Sequence, residues 1–450
     1  MSGQHTIPVV QATPQADKLN WFRFGRLGEH VILTTDTGEW HALAPDTFDR
    51  LLAGGLTEED PCYEVLADKG FLRAGLDLDL HASQLRKSRQ FLLSGATDHH
   101  VHLSTPAGRL SMEKAKAIVD HIFTSSASAL TVALVQGPAP LNVDLVFFIH
   151  ELLKTKNQYE KRVRSIQLHS GLGGLSAEQL KQLAKLGIQI WVPFDGAPQI
   201  HDAQRHLSGA PAHAEILSQL TVLMGSDLCA NVRVGRAASG AAEAMIAGLN
   251  TAGVRTFQVQ PVLDGPDAID PKAYGAFFTA LLVALDAREE MREVQVDALR
   301  SRARHGNIAG HMLLCTPRST GFNARTYGLD GSIYPSADAL ALAEAGNPIF
   351  LLGNVAGTGA EELDNHPTIR SLMMASLTDC LPGYDHLWAA PFIGLDPVQA
   401  YRRTGDIFAK STTSVQYKAI QAMLDALFLS LIDHDSDSGN GSGTNSPSSG

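Results

Sequence analysis

The stretch Asp98–Met112, DHHVHLSTPAGRLSM, decides how this chain is read. It reads as a strand, His99–Leu103, the loop leaving it, and the start of a helix, Met112–Phe123, with Ser111 placed to cap that helix. Downstream the alternation repeats. Strand-like runs fall at Ala129–Val135, Val163–His169, Ile188–Phe194, Ala230–Val234 and Arg255–Pro261. Helical runs lie between them near Val143–Lys156, Ser176–Leu186, Ala212–Met224 and Gly240–Ala252, with a longer one near Pro271–Glu293. Ser176-Ala177-Glu178-Gln179 fits a capping box. Six βα units in a row imply a parallel sheet with right-handed crossovers, as an open doubly wound sheet or a partial barrel. Either places its ligand at the C-terminal ends of the strands. Those ends are Ser104–Arg109, Gln136–Ala139, His169–Gly174, Phe194–Gly196, Gly235–Arg236 and Gln260–Pro261.

Composition bounds the rest. The chain has 450 residues, 44% of them hydrophobic, enough for a large core and about three domain-sized units. No apolar run reaches about 18 residues, and MSGQHTIPVVQATPQADK has neither a basic n-region nor an h-region, so a cytoplasmic location is expected. A net charge of −11 and the lack of a basic stripe argue against nucleic-acid or anionic-membrane partners. Cys62, Cys229, Cys315 and Cys380 are scattered, form no CxxC, zinc or disulfide pattern, and read as small buried apolar residues.

Residues 1–18 read as disordered. Residues 19–95 open with WFRFGRLG, HVILTT, the turn Asp36-Thr37-Gly38 and EWHAL, a set of short strands. Helical signals follow in PDTFDRLLAGG and TEEDPCYEVLADKGFL, the latter with Thr57 as cap, and residues 76–95 form a polar helical connector. This hairpin-then-helices order reads as a winged-helix-like module or as an N-terminal cap on the main domain. The βα core occupies 96–300. Residues 301–432 are rich in glycine and proline loops and end in an amphipathic helix, Lys418–Ile432; 433–450 reads as a disordered tail.

The βα units, Asp195-Gly196-Ala197-Pro198 followed by His201, Asp202 and Arg205, and Asp330-Gly331-Ser332-Ile333-Tyr334-Pro335-Ser336 resemble radical SAM peptide maturases with a SPASM-type C-terminal extension. FLLGNV, GLDPVQAYRRTG and the N-terminal hairpin module resemble, more narrowly, the B-type radical SAM maturase of the His-Xaa-Ser peptide system. The resemblance runs from about Trp21 to about Phe428. It implies an α/β fold: a partial (β/α)6 radical-SAM-type barrel, an N-terminal winged-helix-like module and a degenerate SPASM-like extension. It also implies a precursor peptide as partner, added as a strand to a hairpin edge, with Trp21, Phe22, Val31 and Leu33 as peptide-binding candidates.

The departures fall on the chemistry. The family carries Cys-x-x-x-Cys-x-x-Cys after the first strand, three thiolates that hold a 4Fe–4S cluster with S-adenosylmethionine as cosubstrate. Here that loop is STPAGRLSM, without cysteine, and the family's Gly-Gly-Glu-Pro becomes Gln136-Gly137-Pro138-Ala139, which loses the carboxylate. Where the extension would place cysteines stand Thr320, Tyr384, Leu387, Ile393 and Tyr417. Neither cluster nor cosubstrate is expected.

Other residues invite chemistry. His100 and His102 share one strand face and His169 ends the third strand, which makes His100 and His102 metal candidates, weighed against ordinary hydrogen-bonded histidines. Gly171-Leu172-Gly173-Gly174 stands before a helix, where an anion could be cradled or a plain loop could sit. Asp195 is positioned to cap a helix and Arg205 to pair with Asp202, a structural role weighed against substrate contact. A residual cofactor-binding site would comprise Gln136, Gly137, His169 and Asp195. Three functions are thereby open: a non-catalytic component of a ribosomal peptide maturation system, binding a precursor peptide or an active maturase; an active radical SAM maturase; or a barrel enzyme using another metal. The missing cysteines favour the first, a pseudoenzyme.

Overall fold

Why the N-terminal strands pair as they do follows from their turns. β1 (Arg23–Leu27), β2 (His30–Thr34) and β3 (Trp40–Leu43) form an antiparallel sheet in that order. Gly28 and Gly38 supply the positive φ that the two connections need, at 57° and 88°. The computed structural model describes residues 18–74, 76–88, 95–205, 212–305, 319–378, 381–409 and 411–439. Of the stretches expected to be disordered, 1–18 and 433–450, residues 1–17 and 440–450 lie outside that set.

The chain divides into two compact units, and the first is not contiguous: among the described residues it joins those up to Ser88 with 301–305 and 385–391. After β3 come α1 (Pro45–Leu52), α2 (Tyr63–Asp68) and α3 (Leu78–Ser88). Thr57 does not cap a helix as expected. Its N–H donates to Asp60 Oδ2 at 2.8 Å, which closes a turn, and α2 begins only at Tyr63. Val31, Leu33, Leu43, Phe48, Leu51, Leu66 and Phe71 form one buried core. Alternation turns Gly25 and Thr34 to the opposite sheet face. There Thr34 Oγ1 donates to the Trp388 carbonyl at 2.8 Å, and Gly25 leaves the space that the Trp388 indole fills. Trp40 Nε1 donates to the Ala303 carbonyl and Arg302 Nη2 to the Pro391 carbonyl, each at 2.8 Å. The module expected at 19–95 is thus completed by two segments from far down the chain.

The second unit starts with β4 (Asp98–His102), a small hairpin of β5 (Ser104–Thr105) and β6 (Gly108–Arg109), and α4 (Met112–Ile122), which Ser111 caps. It continues through β7 (Leu130–Val135), α5 (Val143–Glu160), β8 (Val163–His169), α6 (Ala177–Ala184, with the expected capping box) and β9 (Gln189–Val192). Next are α7 (Pro198–Arg205), α8 (His213–Val222), β10 (Leu228–Val234), α9 (Ala242–Thr251), β11 (Thr256–Pro261), α10 (Pro271–Asp286) and β12 (Arg292–Glu293). α11 (Val294–His305) begins in this unit and ends in the first. The region expected to be loops is more regular: β13 (Ala324–Tyr327), β14 (Ser332–Tyr334), α12 (Ala337–Glu344) and β15 (Gly353–Asn354). α13 (Ala360–Asp364), α14 (Pro367–Ser376), α15 (Pro397–Thr404) and α16 (Val415–Gly439) close it.

One sheet carries this unit, in the order β12-β11-β10-β9-β8-β7-β4-β13-β14-β15. From β4 to β12 every neighbour is parallel and the order never reverses. A doubly wound sheet requires a reversal. The winding is therefore that of a partial barrel. β13 pairs parallel to β4, so part of the C-terminal region shares the barrel's sheet. α16 outruns the expected Lys418–Ile432 at both ends and takes in 433–439 of the expected disordered tail, where His434 meets Asp286 of α10 at 3.3 Å. By length and composition Val415–His434 would suffice to cross a membrane; Gly275 of α10 and Ala422 bring the two helices into close contact.

Candidate functional site

Alternation sorts the barrel strands into two faces. Val101, Val132, Leu134, Leu168, Ile190, Val232, Phe257 and Val259 are buried on one. The other carries His100, His102, Gln167, His169, Gln189, Trp191, Asn231, Arg233, Gln258 and Gln260, so it is polar. A face that keeps so many amides and imidazoles among apolar strands is built to meet something other than a helix.

At its β4 end the loop STPAGRLSM folds into the β5–β6 hairpin, closed by the Leu110 N–H on the Leu103 carbonyl at 3.0 Å. The hairpin is seated on the next strand's loop. Ser104 Oγ accepts from Gly137 N–H at 3.2 Å and from Ala139 N–H at 3.3 Å. Both ends of the Gln136 amide are used: Oε1 accepts from Ser170 Oγ, and Nε2 donates to the Ala139 carbonyl at 3.1 Å. The structure thus brings Gln136, Gly137 and His169 together around one loop cluster, where the Gln136 N–H donates to the His169 carbonyl at 2.9 Å. In the Gly171–Gly174 loop, Leu172 is buried at φ 60°, its N–H taken by Ser170 Oγ and its carbonyl by Gln219. Nothing in these contacts reserves the loop for an anion.

The histidines are neutral by construction. Burial, reinforced by His100, holds His102 and His169 at about 4, and burial also lowers His100. His169 stacks on Trp191 with centroids 5.3 Å apart and hydrogen-bonds Gln167 Oε1 through Nε2 at 3.1 Å. Gln167 Nε2 and Trp191 Nε1 both donate to Gln189 Oε1, at 3.1 and 2.7 Å. His102 Nε2 is buried without a partner. Among the described residues no group of three or more His, Cys, Asp or Glu is arranged to hold a metal. His100 and His102 share a face as expected but have no third ligand. His99 is on the other face, in contact with Tyr327 OH at 2.9 Å.

Asp195 stands outside this cluster. It is fully buried, and Arg205 grips it with Nε and Nη2 at 2.9 and 2.7 Å. Arg233 N–H donates to its Oδ1 at 2.8 Å. It does not cap a helix, and Arg205 does not pair with Asp202. Asp202 Oδ1 instead accepts from the His213 N–H at 2.8 Å, at the start of α8. The reason is geometric: Asp195 lies in the loop between β9 and α7, and two donors of one guanidinium match its two oxygens.

An iron–sulfur cluster needs closely grouped thiolates. The loop offers only the hydroxyls of Ser104, Thr105 and Ser111. Cys229 on β10 is fully buried, its thiol pushed up to about 12 by that burial, and Cys62 belongs to the first unit. Cys315 and Cys380 lie outside the described residues. The described residues do not fit the cluster. At the extension's positions, Thr320 and Ile393 are buried, Tyr384 meets Tyr417 edge to face at 6.0 Å, and Ile393 and Tyr417 line a cavity of about 80 Å³. Leu387 belongs to the first unit.

Of the peptide candidates, Val31 and Leu33 are corrected. They lie on the central strand with side chains in the core, 3% and 0% exposed, so neither offers an edge or a contact. Phe22 packs against that core, and Trp21 is 50% exposed. The edges are β1 and β3. Thr35 N–H donates to the Glu39 carbonyl, which sets the β2–β3 ladder's phase; β1 then turns the backbone groups of Phe24 and Arg26 outward. Phe24 is 47% exposed.

Sequence reasoning placed Gln260 at a strand end but missed Gln167, Gln189, Trp191, Asn231 and Arg233. The available signal was period two: polar residues at alternate positions of strands whose other face is apolar.

No family model and no curated protein matches the sequence. Among solved structures, native anSMEcpe with bound AdoMet aligns at a TM-score of 0.58 and 13% identity, over 76% of this chain and 99% of that one. The same protein with bound AdoMet and Cp18Cys peptide gives the same TM-score, identity and coverage. Streptococcus suis SuiB aligns at a TM-score of 0.44 and 12% identity, over 78% of this chain and 89% of that chain. The chain shares the mixed α/β fold of anSMEcpe.

Proposed function

We propose that this chain is a cluster-less relative of the radical SAM peptide maturases, a non-catalytic component that binds a precursor peptide or an active maturase in a ribosomal peptide system of the His-Xaa-Ser type. The observation that carries this reading is the loop after β4. Where the family's fold presents thiolates, nine residues, Leu103 to Ser111, form a cysteine-free hairpin tied to Gly137 and Ala139. An electron source for S-adenosylmethionine cleavage has no ligands there. The peptide enters as an extended strand on the β1 edge, beside the exposed Trp21 and Phe24. The fold's match to anSMEcpe, which binds Cp18Cys peptide, supports a peptide as the partner class. The protein acts in the cytoplasm.

Anaerobic reconstitution with iron and sulfide tests this directly. The expected result is folded protein without stoichiometric iron or the broad visible absorption of a 4Fe–4S cluster. A bound cluster would restore the active-maturase reading. Pull-down with the neighbouring genes' products should recover a small repetitive peptide or a cysteine-complete maturase; recovery of neither argues against the binding role.

A further inference from the structure

At the other end of the barrel mouth, the C-terminal ends of β9, β10 and β11 surround an open cavity of about 470 Å³. Asn231 and Arg233 reach it from β10, and Gln260, the register partner of Arg233, from β11; Pro193 and Pro261 give it apolar walls. Two guanidinium groups touch it, but their states differ. Arg205 is committed to Asp195 through two hydrogen bonds. Arg233 has no ion pair among the described residues, and its side chain makes a single hydrogen bond, Nη1 to the Gln204 carbonyl at 3.3 Å. The one carboxylate on the rim, Asp264, is taken by Arg403 at 2.9 Å. A permanently charged fork, half-buried and left unpaired beside two amides, favours one ligand chemistry. A cation is repelled, an apolar body leaves the donors unmatched, and an oxyanion satisfies them two at a time.

We propose that this cavity is an oxyanion-binding subsite in which Arg233 holds the anion, with Asn231 and Gln260 as flanking donors and the prolines seating an apolar body. A carboxylate and a phosphate share this chemistry. The subsite does not depend on the fate of iron–sulfur chemistry elsewhere in the barrel.

The test is calorimetric titration of the full chain at low ionic strength with N-acetyl-dileucine carrying a free carboxylate, the same peptide as its amide, and inorganic phosphate. The expected result is binding of at least one anion, none of the amide, and a loss of ~10-fold or more in R233Q. Carboxylate binding assigns the site to a peptide or acid; phosphate binding alone assigns it to a phosphate-bearing ligand. Both support the subsite. Gln260→Leu, a change at an exposed position, provides the same readout if R233Q does not fold, with weaker anion binding expected. No binding of either anion, or binding that R233Q or Q260L leaves unchanged, overturns the proposal.

Discussion

Gly137 lies so close to Ser104 that a β-carbon on it would sit 1.9 Å from the Ser104 carbonyl oxygen. Backbone meets backbone there, so neither side can yield by turning a side chain. Gly137→Ala should therefore lift the β5–β6 hairpin off its seat, at a loss of ~1–3 kcal/mol, and break the Ser104 contacts to 137 and 139. Urea unfolding reads the loss as a lower midpoint. A variant as stable as the parent would mean that the hairpin is not seated there.

Asp195 and Asp202 are seven residues apart in sequence and opposite in consequence. Asp195→Asn removes the negative charge that the buried Arg205 guanidinium grips and should lower stability by about 3–5 kcal/mol. Asp202→Ala removes only the acceptor for the His213 N–H, about 1 kcal/mol. Paired denaturation curves decide this; equal losses would contradict the buried pair.

That contrast marks where the sequence could be read and where it could not. The strands from Val163–His169 to Thr256–Pro261 were legible because parallel strands buried on one face keep apolar runs bounded by caps and turns. The partner of Arg205 was not: helix spacing suggests Asp202, while the actual partner is fixed by where β9 ends against α7. The polar barrel face is written at period two but is hidden by the apolar residues between. Trp388 is the hardest case. Its burial against Gly25 joins positions hundreds of residues apart, and no local pattern announces such a contact.

Trp388 gives a third prediction. Its indole fills the space over Gly25 and its carbonyl accepts from Thr34, so Trp388→Ala should destabilise the first unit by ~3–5 kcal/mol. Trp21, exposed, should tolerate Ala within ~0.5 kcal/mol while any peptide binding weakens. Chemical denaturation of both variants, followed by far-ultraviolet dichroism, separates them. If Trp388→Ala is as stable as Trp21→Ala, the segment 385–391 does not belong to this unit.

The buried imidazoles predict how stability follows pH. Burial sets His99 at about 3 and His102 and His169 at about 4, all below the unfolded value near 6.5. Below about pH 6.5 the unfolded chain binds protons that the folded chain refuses. The histidine contribution is thus fully present above that pH and falls as pH drops toward 4, by about 1.4 kcal/mol per pH unit for each. Glu293 acts in the opposite sense. Burial raises it to about 7, despite hydrogen bonds from the Val259 and Val296 N–H groups, so its contribution is complete below about 4.5 and is lost as pH rises through 7. Burial also lowers His100 and His121 and raises Glu39 and Asp425, so five histidines stand against three carboxyls and set the sign. Stability should climb from pH 4.5 to 6.5, and Glu293→Gln, which removes one opposing titration, should steepen that climb by about 1.4 kcal/mol per pH unit. Urea midpoints measured across this range for both proteins check the sign; a flat or falling profile in the parent would show that these rings are not held neutral.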